Sequence, residues 1–269
     1  MSVILLGSLG QSPGVSTIAT GLALTWPRPV ILVEADISKP SSVLPGLLKG
    51  EVTATSGLNT LVELTGLRGP SQLTVATMWP ALIKLPSTNP QEPERFLLHG
   101  FSNPVAGRGA TNLWGELASA LNDLHEGGVD AIVDFGRWNG IGDRPALLRR
   151  ADLAVWATRN TLPGIAATAA SLPQVTVERA SGGRATDQAI LECEAPSGAF
   201  PTGEIRKYLQ ADVLGSIPFS PRAADVYSVG SASRSAASRH FERALKSVGT
   251  AMARTAEQAR NVLLPKQVK

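Results

Sequence analysis

Val3-Ile4-Leu5-Leu6-Gly7-Ser8-Leu9-Gly10-Gln11-Ser12-Pro13-Gly14-Val15-Ser16-Thr17 is the stretch that decides the fold. Its first four residues are apolar and stop at a glycine, as a strand buried on both faces does. From Gly7 to Gly14 the chain is rich in Gly, Ser and Pro, which marks a turn. A helical pattern follows from Val15 to Leu24 and closes at Trp26-Pro27. Val30–Val33 is a second buried strand, ending at Glu34-Ala35-Asp36. Strand, glycine turn, helix and strand in this order make a βαβ unit, which is right-handed in nearly all folds.

Working outward, the apolar spacing predicts helices at Gly57–Leu64, Asn112–His125, Pro145–Arg150, Thr161–Ser171, Thr202–Leu209 and Ser235–Arg260. It predicts strands at Leu73–Thr77, Leu82–Leu85, Leu97–Leu98, Asp130–Asp134, Leu153–Ala157, Val175–Val177, Ala189–Cys193 and Val213–Ile217. Polar, Pro- or Gly-rich stretches at Thr65–Pro70, Pro86–Glu94 and Glu178–Asp187 read as surface loops. This alternation indicates an α/β fold: a doubly wound, mostly parallel sheet with helices on both faces. No linker divides the chain convincingly. One domain is expected over residues 1–233, with 234–269 a basic helix packed on it.

With 269 residues, 43% hydrophobic and 17% charged, the chain is long and apolar enough for one full core. Its longest apolar runs are strand-sized, far from the ~20 residues that span a bilayer. The first apolar run has no basic flank before it and no small-residue cleavage site after it, so no signal peptide is expected. Cys193 is the single cysteine, which fits a reducing compartment, and a cytoplasmic location is expected. Net charge is +3, yet from Arg234 onward eight Lys/Arg stand against two acids, a local +6 that leaves −3 on the rest. Either a solvated helix face or an anionic partner explains that asymmetry.

In doubly wound sheets ligands bind beyond the carboxyl ends of the strands, so the Gly7–Thr17 turn is the first candidate site. It stands where a P-loop stands. A P-loop needs glycines that let backbone N–H groups face phosphates, a lysine for the β/γ-phosphates, and Ser/Thr for Mg²⁺. Gly10, Gln11, Ser12, Gly14, Val15, Ser16 and Thr17 supply the glycines and hydroxyls, but no register supplies a lysine. The first lysine is Lys39 and the first basic residue Arg28. Pro13 also removes one donor. An absent ammonium at ~4 Å and dielectric ~20 costs about 3–4 kcal/mol, two to three orders of magnitude in affinity. Either another cation, Arg137 or Arg159, replaces it, or the site no longer binds triphosphate well.

These residues resemble the ParA/MinD superfamily of deviant Walker A P-loop ATPases, and its divergent actinobacterial MinD-like proteins in particular. The likeness covers nearly the whole chain. Ser12-Pro13-Gly14-Val15-Ser16-Thr17 stands where the family has Lys-Gly-Gly-Val-Gly-Lys-Thr. Val33-Glu34-Ala35-Asp36 is similar to its Asp-x-Asp strand end, which implies a catalytic role for Asp36. Val129–Asp134 is similar to its Walker B strand, which implies that Asp134, with Ser16 and Thr17, manages Mg²⁺. Leu214–Phe219 resembles its Gly-x-Ile-Pro turn, placing Pro218 near the nucleotide base. The resemblance implies ATP or ADP with Mg²⁺ as cofactor and a homodimer working with protein partners of a larger assembly. Two departures stand out. The signature lysine is Gln11 or Ser12, and the P-loop lysine is Ser16, Val15 or Thr17. Such departures are similar to those of the TadZ/CpaE branch, atypical members that position pilus machinery. They imply a localisation or assembly factor for a pilus, secretion or partition apparatus, with weak or absent ATPase activity. An active ATP-dependent switch with a substitute cation and a non-specific DNA-binding partition protein remain as alternatives.

Simpler readings stand beside these. Asp36 and Asp134 each end a strand, where a carboxylate can cap the next turn. Ser16 and Thr17 can cap the first helix without any metal. Arg137 can bind phosphate or pair with Asp134 or Asp143. Gly10-Gln11-Ser12-Pro13-Gly14 matches the Gly-x-Ser-x-Gly nucleophile elbow by letter, but His240 lies in an apparent surface helix and makes a poor triad partner. His99 and His125 have no ligand-spaced partner, so a metal enzyme other than one using Mg²⁺ is not expected. The C-terminal stretch puts Phe241, Leu245, Val248 and Met252 on one side and Arg239, Arg243 and Lys246 on the other. That helix can pack on the sheet, or touch DNA or the inner face of the cell membrane.

Overall fold

The computed structural model describes residues 1–53, 56–68, 73–87, 89–232 and 235–263. Side chains alternate across a strand, so a strand apolar at every position needs cover on both faces. β1 (Val3–Ser8) is buried throughout, with Val3 and Leu5 in one core cluster and Ile4 and Leu6 in the other. The chain continues as α1 (Val15–Thr25), β2 (Val30–Glu34), α2 (Leu58–Arg68), α3 (Val75–Met78), β3 (Ile83–Lys84) and β4 (Arg95–Leu98). Next come α4 (Pro104–Gly109), α5 (Leu113–Asp123), β5 (Asp130–Arg137), α6 (Pro145–Arg150) and β6 (Leu153–Arg159). The rest is α7 (Leu162–Ala180), β7 (Gln188–Cys193), α8 (Thr202–Leu209), β8 (Val213–Ile217), α9 (Pro221–Ser228) and α10 (Ala236–Leu263).

One eight-stranded sheet has the order β3-β4-β2-β5-β1-β6-β7-β8. Every pairing is parallel except that of β3 with β4. The expected doubly wound architecture is therefore present. α2 and α5 belong with the core on one face; α1, α9 and α10 cover the other. The chain leaves β1 for β2 on one side and later fills β6, β7 and β8 on the other. The crevice for a ligand lies at the carboxyl end of β1, between β5 and β6.

The sequence reading fails where local chemistry overrides β-propensity. Leu73–Thr77 is not a strand: Thr74 and Thr77 form a reciprocal capping box that starts α3. Val175–Val177 is not a strand either, because α7 runs through Pro173 to Ala180, burying Val175 completely and leaving Val177 73% exposed. That extension also removes the first residues of the loop expected at Glu178–Asp187. Helix α2 likewise reaches Arg68, into the loop expected at Thr65–Pro70, whose last two residues lie outside the described ones. Two short helices, α4 and α9, were not anticipated; each has Pro in its first turn.

α10 buries Phe241, Leu245, Val248, Met252, Ala253 and Ala256 in the core shared with α1 and β8. Leu245 packs so tightly on Gly21 that a Cβ there would meet its Cδ1 at 2.7 Å. The apolar stripe of this helix thus lies inside the domain, while Arg239, Arg243 and Lys246 face solvent. Among the described residues no helix is long and apolar enough to cross a membrane.

Candidate functional site

After Ser8 the chain turns through Gln11 (φ 51°) and Gly14 (φ 94°), both in the left-handed region. Gly14 precedes α1 directly, in a conformation that costs a side chain strain. No side chain caps this helix, and Ser16 and Thr17 lie inside its first turn. The capping reading of those two residues is therefore wrong: Gly14 holds the cap position. The first-turn amides carry the partial positive charge of a helix N-terminus and face the crevice uncapped.

The charge missing from the loop comes from another strand end. Beyond β2, Lys39 Nζ donates to Ser16 Oγ at 2.7 Å and to Ser42 Oγ at 3.1 Å. The same ammonium lies 3.8 Å from Asp36 Oδ2. A buried carboxylate fixes this segment. Glu34 accepts hydrogen bonds from Ser42 N (2.8 Å), Val43 N (3.1 Å), Gly100 N (3.2 Å) and the Ser41 and Ser42 hydroxyls. Both Lys39 and Glu34 were missed as site residues. The available signal was register: a lysine three positions after Asp36, at the end of a strand one place removed from β1, lands over the first turn.

Arg137 and Arg159, the replacements expected from the sequence, contact the loop at Gln11 and Ser12. Arg137 Nη2 donates to Gln11 O and Ser12 Oγ, both at 2.9 Å, and Arg159 Nη2 to Ser12 O at 3.3 Å. They hold the loop's backbone in place. Arg137 pairs with neither Asp134 nor Asp143; Asp143 is taken by Arg144 at 2.8 Å.

Asp36 and Asp134 are brought together because β2 and β5 are neighbours, with Glu34 opposite Asp134. Each does cap its turn. Asp36 Oδ1 accepts from Ser38 N (2.9 Å) and Ser38 Oγ (2.6 Å), and Asp134 Oδ1 accepts from Gly136 N (3.0 Å). Gly136 is required there, since a Cβ would lie 2.4 Å from Asp36 Cγ and its φ is 66°. Burial pushes the Asp134 carboxyl up to about 6, against the pull of Lys39 and a Ser16 hydrogen bond. A raised carboxyl pKa favours the folded state below its unfolded value and loses that advantage as pH rises to the folded one. Asp134→Asn is therefore expected to stabilise by up to about 3 kcal/mol at pH 7.5 and by almost nothing near pH 4. Thermal melts of both proteins across that range check it.

Of the oxygens at the Mg²⁺ position that the resemblance implies, Ser16 Oγ is already engaged by a cation, while Thr17 lines the cavity. Mg²⁺ needs oxygen ligands in near-octahedral array. Ser16 Oγ, the first expected ligand, already accepts a bond from an ammonium, and Asp36 faces the same cation.

Ser8, Gln11, Ser12, Gly14, Val15, Ser16, Thr17, Asp36, Lys39 and Arg137 line one open cavity of about 510 Å³. Tyr227 and Ser228 line it as well. Two expected residues lie elsewhere. Gly10 packs against Ala167 of α7, where a Cβ would come within 2.4 Å of the alanine's own. Pro218 lines a separate hollow of about 180 Å³ that shares Pro13, Gly14 and Thr17 with the loop. Asp134 sits beneath the cavity floor, 1% exposed.

No family model and no curated protein matches the sequence. Solved structures do. The cell-division ATPase MinD of Pyrococcus furiosus superposes with a TM-score of 0.68 at 14% identity, over 94% of this chain and 99% of that one. The MinC:MinD complex of Aquifex aeolicus gives 0.60 at 14%, over 100% and 99%. An McdA–ATP complex from Cyanothece gives 0.64 at 15%, over 100% and 99%. At these identities the likeness establishes the MinD/ParA type of P-loop NTPase fold along the full length of the chain.

Proposed function

We propose that this chain is a ParA/MinD-like nucleotide-binding protein with weak or absent turnover that serves as a localisation or assembly factor. One observation carries the reading: the Lys39 ammonium stands over the first turn, 2.7 Å from Ser16 Oγ, where the loop has no lysine of its own. With the uncapped start of α1 and Arg137 at the rim, it makes a cavity suited to the outer phosphates of ATP or ADP. The Cyanothece McdA structure, of the same fold, holds ATP.

Binding and hydrolysis separate here. Asp36, the hydrolytic carboxylate by resemblance, is engaged by Ser38 and faces Lys39, so it is poorly free to orient water. The signature lysine is also missing from the loop. Nucleotide then acts as a ligand that favours homodimerisation through this face, with the exposed cations of α10 left to meet an anionic surface or partner. MinD with MinC shows this fold in a two-protein assembly. The departures in the loop favour a TadZ/CpaE-like role in a cytoplasmic pilus, secretion or partition apparatus, peripheral to the membrane.

Calorimetric titration with ATP and with ADP, followed by phosphate-release measurements, tests this. Saturable binding with turnover near background is expected. Absence of heat for both nucleotides would remove the reading; rapid turnover would replace it with the active switch.

A further inference from the structure

We infer that Lys39 takes the place of the divalent cation, so that this chain binds polyphosphate without metal. The inference rests on the nucleotide-phosphate reading above and adds how the negative charge is neutralised. Two groups that would face a metal or the water it holds, Ser16 Oγ at 2.7 Å and Asp36 Oδ2 at 3.8 Å, face one ammonium instead.

The ammonium is held in that position. Ser42 Oγ accepts from it at 3.1 Å, and Ser42 itself is pinned through its N–H and hydroxyl to Glu34. Glu34 also gathers Val43 N and Gly100 N, so the segment bearing Lys39 is tied to the ends of both β2 and β4. A fixed positive charge at this spot repels a second, divalent one, and one of its three N–H donors is left over from Ser16 and Ser42. Lys39 is 37% exposed on its side chain, toward the cavity that Ser12, Ser16 and Arg137 line, so its one remaining donor can reach an incoming phosphate.

The experiment is calorimetric titration of ADP and of inorganic pyrophosphate into the full chain, in EDTA and again in excess MgCl₂. Wild type is expected to bind equally in both, within about threefold. Lys39→Met, and Lys39→Gln as a second variant, are expected to lose about 100-fold in EDTA and to regain part of it with Mg²⁺. Wild-type affinity falling tenfold or more on removing Mg²⁺ overturns the inference and leaves nucleotide binding standing. Variants that bind like wild type in EDTA overturn it as well. Absence of binding under every condition ends both this inference and the reading it rests on. Circular dichroism and melting of each variant confirm that the fold is retained.

Discussion

Asp130→Ala is expected to lower stability by about 3–5 kcal/mol, a large share of the 5–15 typical of a whole domain. Asp130 lies at the amino end of β5, opposite the site, and its side chain is fully buried. Oδ1 accepts from Ser2 N at 2.7 Å; Oδ2 accepts from Trp26 Nε1 at 2.8 Å and from Arg28 Nε at 2.9 Å. Arg28 reaches onward to Glu257 of α10 at 3.1 Å. One carboxylate thus joins the start of β1, the end of α1 and, through Arg28, the last helix. Alanine strands three donors, one of them charged, in an apolar setting. Asparagine does little better, since its amide would present N–H groups to donors on one side. Urea titration followed by tryptophan fluorescence should show the midpoint falling for both variants; an unchanged midpoint would mean that water replaces the carboxylate.

Glu34→Ala should have the second largest effect, and on two readouts at once. Ser42 N, Val43 N and Gly100 N lose their acceptor, at about 1–3 kcal/mol for each donor left buried and unpaired. Compensation by water would bring the total loss to the lower end, about 3 kcal/mol. Lys39 is untouched by the substitution, yet its anchor through Ser42 goes. Nucleotide affinity is therefore expected to fall together with stability, and amide exchange at residues 38–43 to quicken. A stability loss with unchanged affinity and exchange would show that the segment holds its shape without Glu34, which would then have no part in the site.

The frame of this fold is plain in its first 36 residues. Val3–Leu6, the glycine turn and Val30–Val33 each obey one strong rule, burial on both faces or left-handed backbone, and the structure agrees with them. Val175–Val177 and Leu73–Thr77 were misread because the signal there was β-branching alone. A capping box at Thr74 and a buried face on α7 outweigh that preference. The candidate site was legible in its location but not in its electrostatics. Arg137 and Arg159, the cations that sequence position suggests, stand at the ends of β5 and β6, the strands flanking β1. Lys39 lies five residues beyond β2, a strand that β5 separates from β1 in the sheet. Sequence spacing cannot show that a side chain 23 residues from Ser16 lies 2.7 Å away. Glu34 was hidden for a related reason: as the last residue of a buried strand it looks like a misplaced charge until its five donors are seen.

The claim at the centre is that a lysine borrowed from the end of β2 faces a nucleotide's phosphates in the first turn. A crystal structure of the protein grown with ATP and EDTA tests it most directly. The account predicts a polyphosphate on the first-turn amides of α1 with Lys39 Nζ within hydrogen-bond distance of a phosphate oxygen. A cavity without nucleotide, or nucleotide bound with Lys39 turned away and its ammonium in solvent, would contradict it.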